Sequence, residues 1–190
     1  MRHYKVLKHS IYAENGYSIV PIRSEDRYHI MKWRNEQLFH LRQEKPLTKE
    51  DQDVYFETVV KNLFIEDKPN QLLFSYLEGD QCIGYGGLVH INWIDKNAEI
   101  SFLTETPSIN KDYEAHLLRF LGFIENVAST GLNFHKLFTY AFDVRPEIYA
   151  ILEKGGFKKE AVLKEHCFID EHFLDVIIHS KFIQKNNLKK

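Results

Sequence analysis

The sequence predicts a mixed α/β fold built on a mostly antiparallel sheet of about seven strands. Consecutive apolar runs at 72–77, 82–91 and 98–103, separated by turn residues, indicate antiparallel strands. The apolar spacing then changes to a helical period between Tyr113 and Ala128. Strand and helix patterns alternate from there to the last strands, so the expected element order is β-α-α-β-β-β-α-β-α-β-β.

The first part of the chain predicts one strand and two helices. The segment 17–23 is typical of a strand, and Ser24 is placed to begin a helix that runs to about Glu36. Thr48 and Asp51 have the spacing of a capping box, in which each side chain binds the backbone N–H of the other residue. We therefore expect a second helix after Thr48, with one apolar face.

A long helix and a short helix are expected among the strands of the second half. The apolar stripe that begins at Tyr113 should end at Gly131 in a left-handed conformation. A strand follows at 134–142, and Pro146 begins a short helix that Gly155 ends. Two last strands are expected at 158–164 and 173–182, with a turn at 169–172.

The composition is that of a globular domain and disfavours several classes of function. The 190 residues include 25 basic and 27 acidic side chains, a formal net charge of −2, so nucleic acid is not an expected partner. No segment approaches the roughly 20 apolar residues that cross a bilayer, and we expect a cytoplasmic protein that does not bind membranes. We assign 1–184 to a single domain and 185–190 to a basic, disordered tail. Neither the two cysteines nor the ten histidines have the spacing of metal ligands.

The most informative residue is Glu99, which lies in the apolar segment Ala98–Leu103. A carboxylate in a buried strand is unfavourable unless it is paired or has a chemical role. Two interpretations stay open from the residue alone: a structural carboxylate bonded to its neighbours, and a general base. The helix after this strand also presents an N-terminus that suits a pyrophosphate, although a plain crossover connection has the same pattern.

Two short motifs carry a resemblance to a known superfamily. The short helix leads into Glu153-Lys-Gly-Gly-Phe157, and the first helix contains Trp33-Arg-Asn35. With the order of elements, they resemble the GCN5-related N-acetyltransferase (GNAT) superfamily over nearly the whole chain, closest to its ribosomal-protein-alanine and nucleotide-amino-sugar acetyltransferase branches. The resemblance implies helices on both faces of the sheet, with acetyl-CoA as co-substrate in a cleft where the fourth and fifth strands splay apart.

The same resemblance implies roles for particular residues. Glu99 corresponds to a frequent general base, and Tyr149 is a candidate acid for the departing thiolate. The residues expected at the acceptor are Trp33, Arg34, Asn35 and His90. Those expected at the cofactor are Phe102, Leu103 and Thr104 beside the pantetheine arm, Asn110, Lys111, Asp112, Tyr113, Glu114 and Ala115 at the pyrophosphate, and Arg145 at a phosphate. Ordinary packing or solvation is the alternative role for such residues.

The segment 110–115 departs from the superfamily's pyrophosphate loop, which reads Arg/Gln-x-x-Gly-x-Gly/Ala. Only Ala115 fits well, because Tyr113 stands where a glycine lets the phosphate approach the backbone. Asp112 and Glu114 place negative charge near an anionic ligand.

Two hypotheses about function follow. The first is an acetyl-CoA-dependent N-acetyltransferase that acts by direct transfer to a primary amine, with a nucleotide-linked amino sugar as the favoured acceptor and a protein N-terminus next. The second is a catalytically degenerate module of the same fold that binds a partner and does not use acetyl-CoA. A homodimer is compatible with either hypothesis.

Overall fold

The computed structural model describes residues 2–106 and 112–183, which form one sheet of eight strands with helices around it. The strands are β1 (Tyr12–Glu14), β2 (Tyr17–Pro21), β3 (Leu72–Glu78), β4 (Gln81–Asn92), β5 (Asn97–Thr104), β6 (Lys136–Phe142), β7 (Lys158–Ile169) and β8 (His172–Phe182). The helices are α1 (Arg27–Glu36), α2 (Lys49–Tyr55), α3 (Lys61–Leu63), α4 (Tyr113–Asn126) and α5 (Glu147–Lys154). The predicted tail at 185–190 and the predicted loop residues Asn110 and Lys111 lie outside the described residues.

The order of strands in the sheet is β1-β2-β3-β4-β5-β6-β8-β7. Neighbouring strands are antiparallel except β5 and β6, which run parallel. This arrangement confirms the predicted mixed, mostly antiparallel sheet. A parallel pair needs a crossover connection, and α4 supplies it between β5 and β6.

The sheet has one strand more than predicted, because β1 forms a hairpin with β2. Asn15 and Gly16 join the two strands with φ angles of 51° and 81°. Both residues are left-handed, as a two-residue hairpin turn of this kind requires, and Asn-Gly is its preferred sequence. The Asn15-Gly16 dipeptide was the sequence signal for this hairpin, since the three residues of β1 are too few to show the alternation of a strand.

Most local predictions agree with the structure. Thr48 and Asp51 form the predicted capping box at the start of α2, and a π-helical segment, Phe56–Val60, joins α2 to α3. Another π-helical segment, Val127–Gly131, extends α4 to the predicted end. The left-handed residue there is Asn133, with φ of 53°, and not the predicted Gly131. β7 is longer than predicted and runs to the turn before β8.

Two glycines explain where α5 ends. The N–H of Phe157 donates to the Leu152 carbonyl at 3.0 Å, and the N–H of Gly156 donates to the Glu153 carbonyl at 2.9 Å. These bonds define a Schellman motif, which needs a left-handed residue after the helix. Gly156 is that residue, with φ of 83°, and the helix ends at Gly155, its C-cap, as predicted. Phe157 is then buried in the core.

Helices cover both faces of the sheet, as predicted. Side chains three positions apart on a strand point to opposite faces, so Phe102 and Glu99 of β5 face opposite ways. Phe102 stacks on Phe120 of α4, with ring centroids 4.3 Å apart. On the other face, Arg34 of α1 donates to Tyr85 Oη of β4 at 2.7 Å. Glu99 therefore faces α1 and the loop that follows it.

Two kinds of feature are absent from the described ranges. None of the helices there is long and apolar enough to cross a membrane. Within the same residues, no group of three or more His, Cys, Asp or Glu side chains is placed to hold a metal ion. Cys82 is buried, Cys167 is half-buried, and both are free thiols.

Candidate active site

A cleft opens where β5 and β6 separate. These are the fourth and fifth of the seven predicted strands, since β1 was not predicted. The two strands pair only from Asn97 with Lys136 to Glu99 with Phe138. Beyond these pairs, β5 continues for five residues and β6 for four, without pairing to each other. The opening contains a cavity of about 420 Å³. Glu99 is the last paired residue of β5 and lies at the inner end of this cleft.

The edge of β5 that faces the cleft presents backbone hydrogen-bonding groups. The N–H of Glu105 donates to the Ile83 carbonyl, and Thr104 lies opposite Gly84. Because backbone groups alternate in direction along an antiparallel strand, those of Phe102 and Thr104 point away from β4 and toward the cleft. Gln37 Nε2 already donates to the Thr104 carbonyl at 2.9 Å. The groups of Phe102 are therefore the ones placed to pair with an extended ligand.

The carboxylate of Glu99 makes two contacts. Arg42 Nη2 lies 3.0 Å from Oε1, and His90 Nδ1 lies 2.8 Å from Oε2. The Glu99 side chain is 12% exposed, whereas that of His90 is 63% exposed. A cation and a hydrogen bond thus offset the desolvation of a nearly buried carboxylate. The structure brings the predicted base Glu99 together with the predicted acceptor residue His90.

His90 reaches Glu99 because β4 has a bulge at this point. Val89 lies opposite Glu99, and the next pair is Asn92 with Asn97, so β4 contains one extra residue. The φ angle of His90 is 47°, a conformation that costs a non-glycine residue roughly 1–3 kcal/mol. Since alternate residues of a regular strand face opposite ways, the bulge redirects a side chain that would otherwise point to the other face.

Asn35 fixes the loop that follows α1. Its Nδ2 donates to the Leu47 carbonyl at 2.9 Å, and its Oδ1 accepts from the Leu47 N–H at 2.8 Å. This loop carries His40 and Arg42, which both line the cavity. Trp33 is 5% exposed and belongs to the core. Of the predicted Trp-Arg-Asn residues, Trp33 and Asn35 therefore support the site without lining it.

Arg34 is the residue of that motif that lines the cavity. Its guanidinium donates to Gln43 Oε1 at 2.8 Å and to Tyr85 Oη at 2.7 Å. No carboxylate in the described part of the chain forms an ion pair with Arg34. Its positive charge is therefore available to a ligand in the cavity.

Tyr113 and Arg145 meet across the outer part of the cleft. Tyr113 Oη accepts a hydrogen bond from Arg145 Nη2 at 3.2 Å, and both residues line the cavity. Burial raises the pKa of Tyr113, so its hydroxyl stays protonated at neutral pH. Within the described ranges, Arg145 makes no ion pair with a carboxylate. The two predicted cofactor residues are thus adjacent, although Tyr113 occupies space that a glycine would leave open.

The other predicted pyrophosphate residues lie around the start of α4. Asp112 precedes the helix and is exposed, as is Ala115. Glu114 Oε1 accepts a hydrogen bond from Lys154 Nζ at 2.6 Å, so its negative charge is paired.

Two predicted pantetheine residues of β5 are buried. Leu103 is 4% exposed, and the buried Thr104 Oγ1 has no hydrogen-bond partner among the described residues.

His40 lies near two guanidinium groups. Burial, and then the charges of Arg145 and Arg34, lower the pKa of His40 from the usual 6.5 to about 3. His40 is therefore neutral at physiological pH. The charged side chains that line the cavity are Arg34, Arg42, Arg145 and Glu99, so the described lining has an excess of positive charge.

The predicted acid, Tyr149, is not among the residues that line the cavity. Its hydroxyl donates to Asp143 Oδ1 at 2.8 Å, and its ring stacks on His179 with centroids 5.1 Å apart. Tyr140, which the sequence did not single out, does line the cavity. Burial and the neighbouring Cys167 thiol raise the pKa of Tyr140 to about 12. Its position just past the last β5–β6 pair becomes visible only when the strands are paired.

Comparisons with known proteins agree with this fold. Residues 19–178 match the family model described as an acetyltransferase (GNAT) domain. A spermidine N(1)-acetyltransferase of Vibrio cholerae serotype O1 is 28% identical over 109 residues, which are 55% of this chain and 61% of that protein. The match therefore spans less than two thirds of that relative.

Two solved structures of similar fold come from the same organism. A spermidine N-acetyltransferase in complex with CoA and spermine superimposes with a TM-score of 0.76 and 19% identity, covering 90% of this chain and 98% of the other. A structure of that enzyme described as dodecameric has a TM-score of 0.70 and 20% identity, covering 89% and 95%. At these identities, the likeness establishes the fold.

The comparisons confirm the predicted family, whose model is described as an acetyltransferase domain, and the CoA in a neighbouring structure agrees with the predicted co-substrate. They do not support the predicted acceptors, because the relatives are named for spermidine and not for a nucleotide-linked amino sugar or a protein N-terminus. The family model covers most of the chain, and the fold and the splayed cleft agree with it. The chain belongs to the GNAT acetyltransferase family.

Proposed function

We propose that this protein is an acetyl-CoA-dependent N-acetyltransferase that transfers acetyl directly from the thioester to a primary amine. The observation that carries the proposal is the Glu99–His90 hydrogen bond at the point where the parallel strands β5 and β6 separate. An alkylammonium ion cannot attack a thioester, since its lone pair holds a proton. A carboxylate–imidazole pair at the inner end of the cleft is placed to remove that proton.

Residues of the outer cleft fit the cofactor. The backbone groups of Phe102 point into the opening, where the pantetheine arm would add as an extended strand. Arg145 offers a guanidinium without a carboxylate partner among the described residues, which suits a phosphate. Acetyl-CoA supplies the activated acetyl group. The protonated hydroxyl of Tyr140, in the same cavity, is our candidate donor to the departing thiolate.

Polyamines are the first acceptor class to test. The curated relative is named a spermidine N(1)-acetyltransferase, and the neighbouring structure contains spermine. The proton-removal step requires only a primary amine that reaches Glu99 and His90, and spermidine has two. We therefore propose spermidine and spermine as initial substrates.

The charge of the cavity favours a second acceptor class, an amine that also carries an anionic group. A polyamine has several ammonium groups and is best held by several carboxylates, but Glu99 is the one carboxylate among the described lining residues. That carboxylate is already paired with Arg42. Arg34, without such a partner in the described ranges, would attract a carboxylate or phosphate on the acceptor.

Two measurements test the proposed function. Isothermal titration with CoA and acetyl-CoA should give micromolar dissociation constants, and no binding at millimolar concentration would refute the proposal in favour of the degenerate module. Release of free thiol from acetyl-CoA should then be followed with spermidine, spermine and a panel of simple amines with and without a phosphate or carboxylate. Turnover of polyamines alone would reject the second acceptor class.

Glu99→Gln is the variant that tests the site itself. Loss of a group in proton removal typically lowers kcat about 10²–10⁴-fold, and the affinity for CoA should stay the same because Glu99 faces away from α4. Glu66→Gln, an exposed residue beyond α3, is the matched control. Equal kcat for Glu99→Gln and the control would exclude Glu99 from the reaction.

We also propose that the protein self-associates, since a relative of the same fold is described as dodecameric. Phe168 and Phe173 form an exposed aromatic pair near the turn between β7 and β8, with centroids 4.9 Å apart. Light scattering coupled to gel filtration tests this proposal, and a monomer at all concentrations would refute it.

A further inference from the structure

We propose that His90 Nε2 is the atom that takes the proton from the acceptor amine, and that Glu99 is a positioning residue that holds the imidazole. The proposal rests on the N-acetyltransferase function proposed above and identifies the proton acceptor within that site. The sequence pattern places the base at Glu99, but the geometry favours its neighbour.

Both oxygens of Glu99 are engaged. Arg42 is 3.0 Å from Oε1, and His90 Nδ1 is 2.8 Å from Oε2. An ion-paired carboxylate can only accept hydrogen bonds, so the hydrogen between Glu99 and His90 belongs to Nδ1. A proton placed on Glu99 would oppose the Arg42 ion pair and this hydrogen bond. Both oxygens of Glu99 are thus occupied, and the unoccupied lone pair of this carboxylate–imidazole pair lies on the ring.

The Nδ1–H tautomer leaves the lone pair of neutral His90 on Nε2. His90 lines the cavity, and its side chain is 63% exposed, so this atom is accessible both to a substrate and to water. Imidazole is the side chain that most readily exchanges a proton near neutral pH. A carboxylate that fixes the tautomer of a histidine base is a recurrent arrangement in proton-transfer sites.

The backbone at this point supports the same assignment. The bulge in β4 and the φ angle of 47° at His90 turn the imidazole to the face of Glu99. Strained residues that the surrounding structure holds in place cluster at functional sites. Glu99 already has a charged partner in Arg42, so the bulge is not needed merely to compensate the buried carboxylate.

The lone pair of His90 Nε2 takes one proton from the acceptor's ammonium group and later passes it to solvent. The freed amine forms a C–N bond to the acetyl carbon, and the C–S bond of the thioester breaks. The second proton lost by the nitrogen ends on the departing thiolate. The products are an amide, free CoA and one proton.

Long-range ¹H–¹⁵N NMR of the histidine rings tests the geometry without any substrate. We expect neutral His90 to be protonated on Nδ1, with its signals assigned by their loss in His90→Gln. Glu99→Gln should weaken this tautomeric preference. A wild-type spectrum showing the Nε2–H tautomer would overturn the proposal.

Kinetics with an active acceptor test the chemistry. His90→Ala should lower kcat about 10²–10⁴-fold, leave the affinity for CoA unchanged, and recover part of its rate when imidazole is added to the buffer. Glu99→Ala should be slowed but not rescued by imidazole. His9→Ala, an exposed histidine of the N-terminal segment, is the control.

The outcomes separate this proposal from the proposed function. Full activity of His90→Ala would return the base to Glu99. The same conclusion would follow if formate rescued Glu99→Ala while imidazole failed to rescue His90→Ala. Either result would leave the acetyltransferase function intact. A wild-type protein that acetylates no amine would refute both.

Discussion

Acidification should destabilise the folded protein through His40, and replacing His40 with glutamine should remove that part of the pH dependence. The pKa of His40 is about 3 in the folded state, because of burial and two nearby arginines, against the usual 6.5. Well above pH 6.5, neither state is protonated there, and His40 contributes no pH dependence. Below pH 6.5, the unfolded chain binds a proton that the folded chain does not, so stability falls as the pH falls.

The size of the effect follows from the two pKa values. At pH 5, protonation of His40 in the unfolded chain shifts the unfolding equilibrium by roughly 1.5 logarithmic units relative to high pH. This lowers the free energy of unfolding by about 2 kcal/mol, at roughly 1.4 kcal/mol per unit. A folded pKa one unit higher would hardly change this result, because His40 would still be mostly neutral at pH 5. Because the side chain is partly exposed, we expect a measured value of about 1–2 kcal/mol.

Urea unfolding followed by circular dichroism at pH 8, 7, 6 and 5 measures this effect. Between pH 8 and pH 5, the wild-type free energy of unfolding should fall by about 1–2 kcal/mol more than that of His40→Gln. Burial lowers the pKa of His116 and of His179, but both residues are present in both proteins and cancel in the comparison. Parallel pH profiles for the two proteins would refute the reasoning about His40.

Three further predictions concern single residues. Arg145→Gln should raise the dissociation constant of CoA, measured by calorimetry, about 10- to 100-fold, because a charged hydrogen bond contributes roughly 1.5–3 kcal/mol. Arg2→Gln is the control. Equal affinities of the two variants for CoA would exclude Arg145 from the cofactor site. Tyr149→Phe should keep kcat within about twofold, since Tyr149 does not line the cavity, whereas a large loss would restore it as the acid. In Gly86→Ala, the new Cβ would clash with the Ser101 carbonyl oxygen. The free energy of unfolding, measured in urea, should therefore drop by at least about 1–3 kcal/mol. Unchanged stability would contradict the close approach of β4 to β5.

Much of the fold could be predicted because its signals are local. The capping box at Thr48 and the apolar stripe of α4 depend on residues a few positions apart, and both were found. β1 was missed because three residues show no period, although the Asn15-Gly16 turn marked it. The end of α5 at Gly155 was also predicted, because a glycine directly after a helical stripe is a local stop signal.

The candidate site was predictable in part. Glu99 was identified because a charge in an apolar strand needs an explanation, and His90 and Arg34 were found through family resemblance. Arg42 and His40 were not singled out, since nothing in the local sequence marks them. They reach the cavity because Asn35 fixes the loop after α1, a contact between residues 12 positions apart in the chain.

The sequence by itself determined the types and order of the elements, the family to which they belong, and the presence of a carboxylate at a buried strand position. The elements and the carboxylate follow from periodicity, caps and apolar runs, which act over short distances along the chain. The family follows from the resemblance carried by Trp33-Arg-Asn35, Glu153-Lys-Gly-Gly-Phe157 and the order of the elements. Only the tertiary structure decided what surrounds that carboxylate. Beside Glu99, β5 separates from β6. A bulge turns His90, which is 9 positions away in the chain, toward Glu99, and the loop after α1 brings Arg42, which is 57 positions away. Strand register and loop packing set those distances, and neither has a local signature.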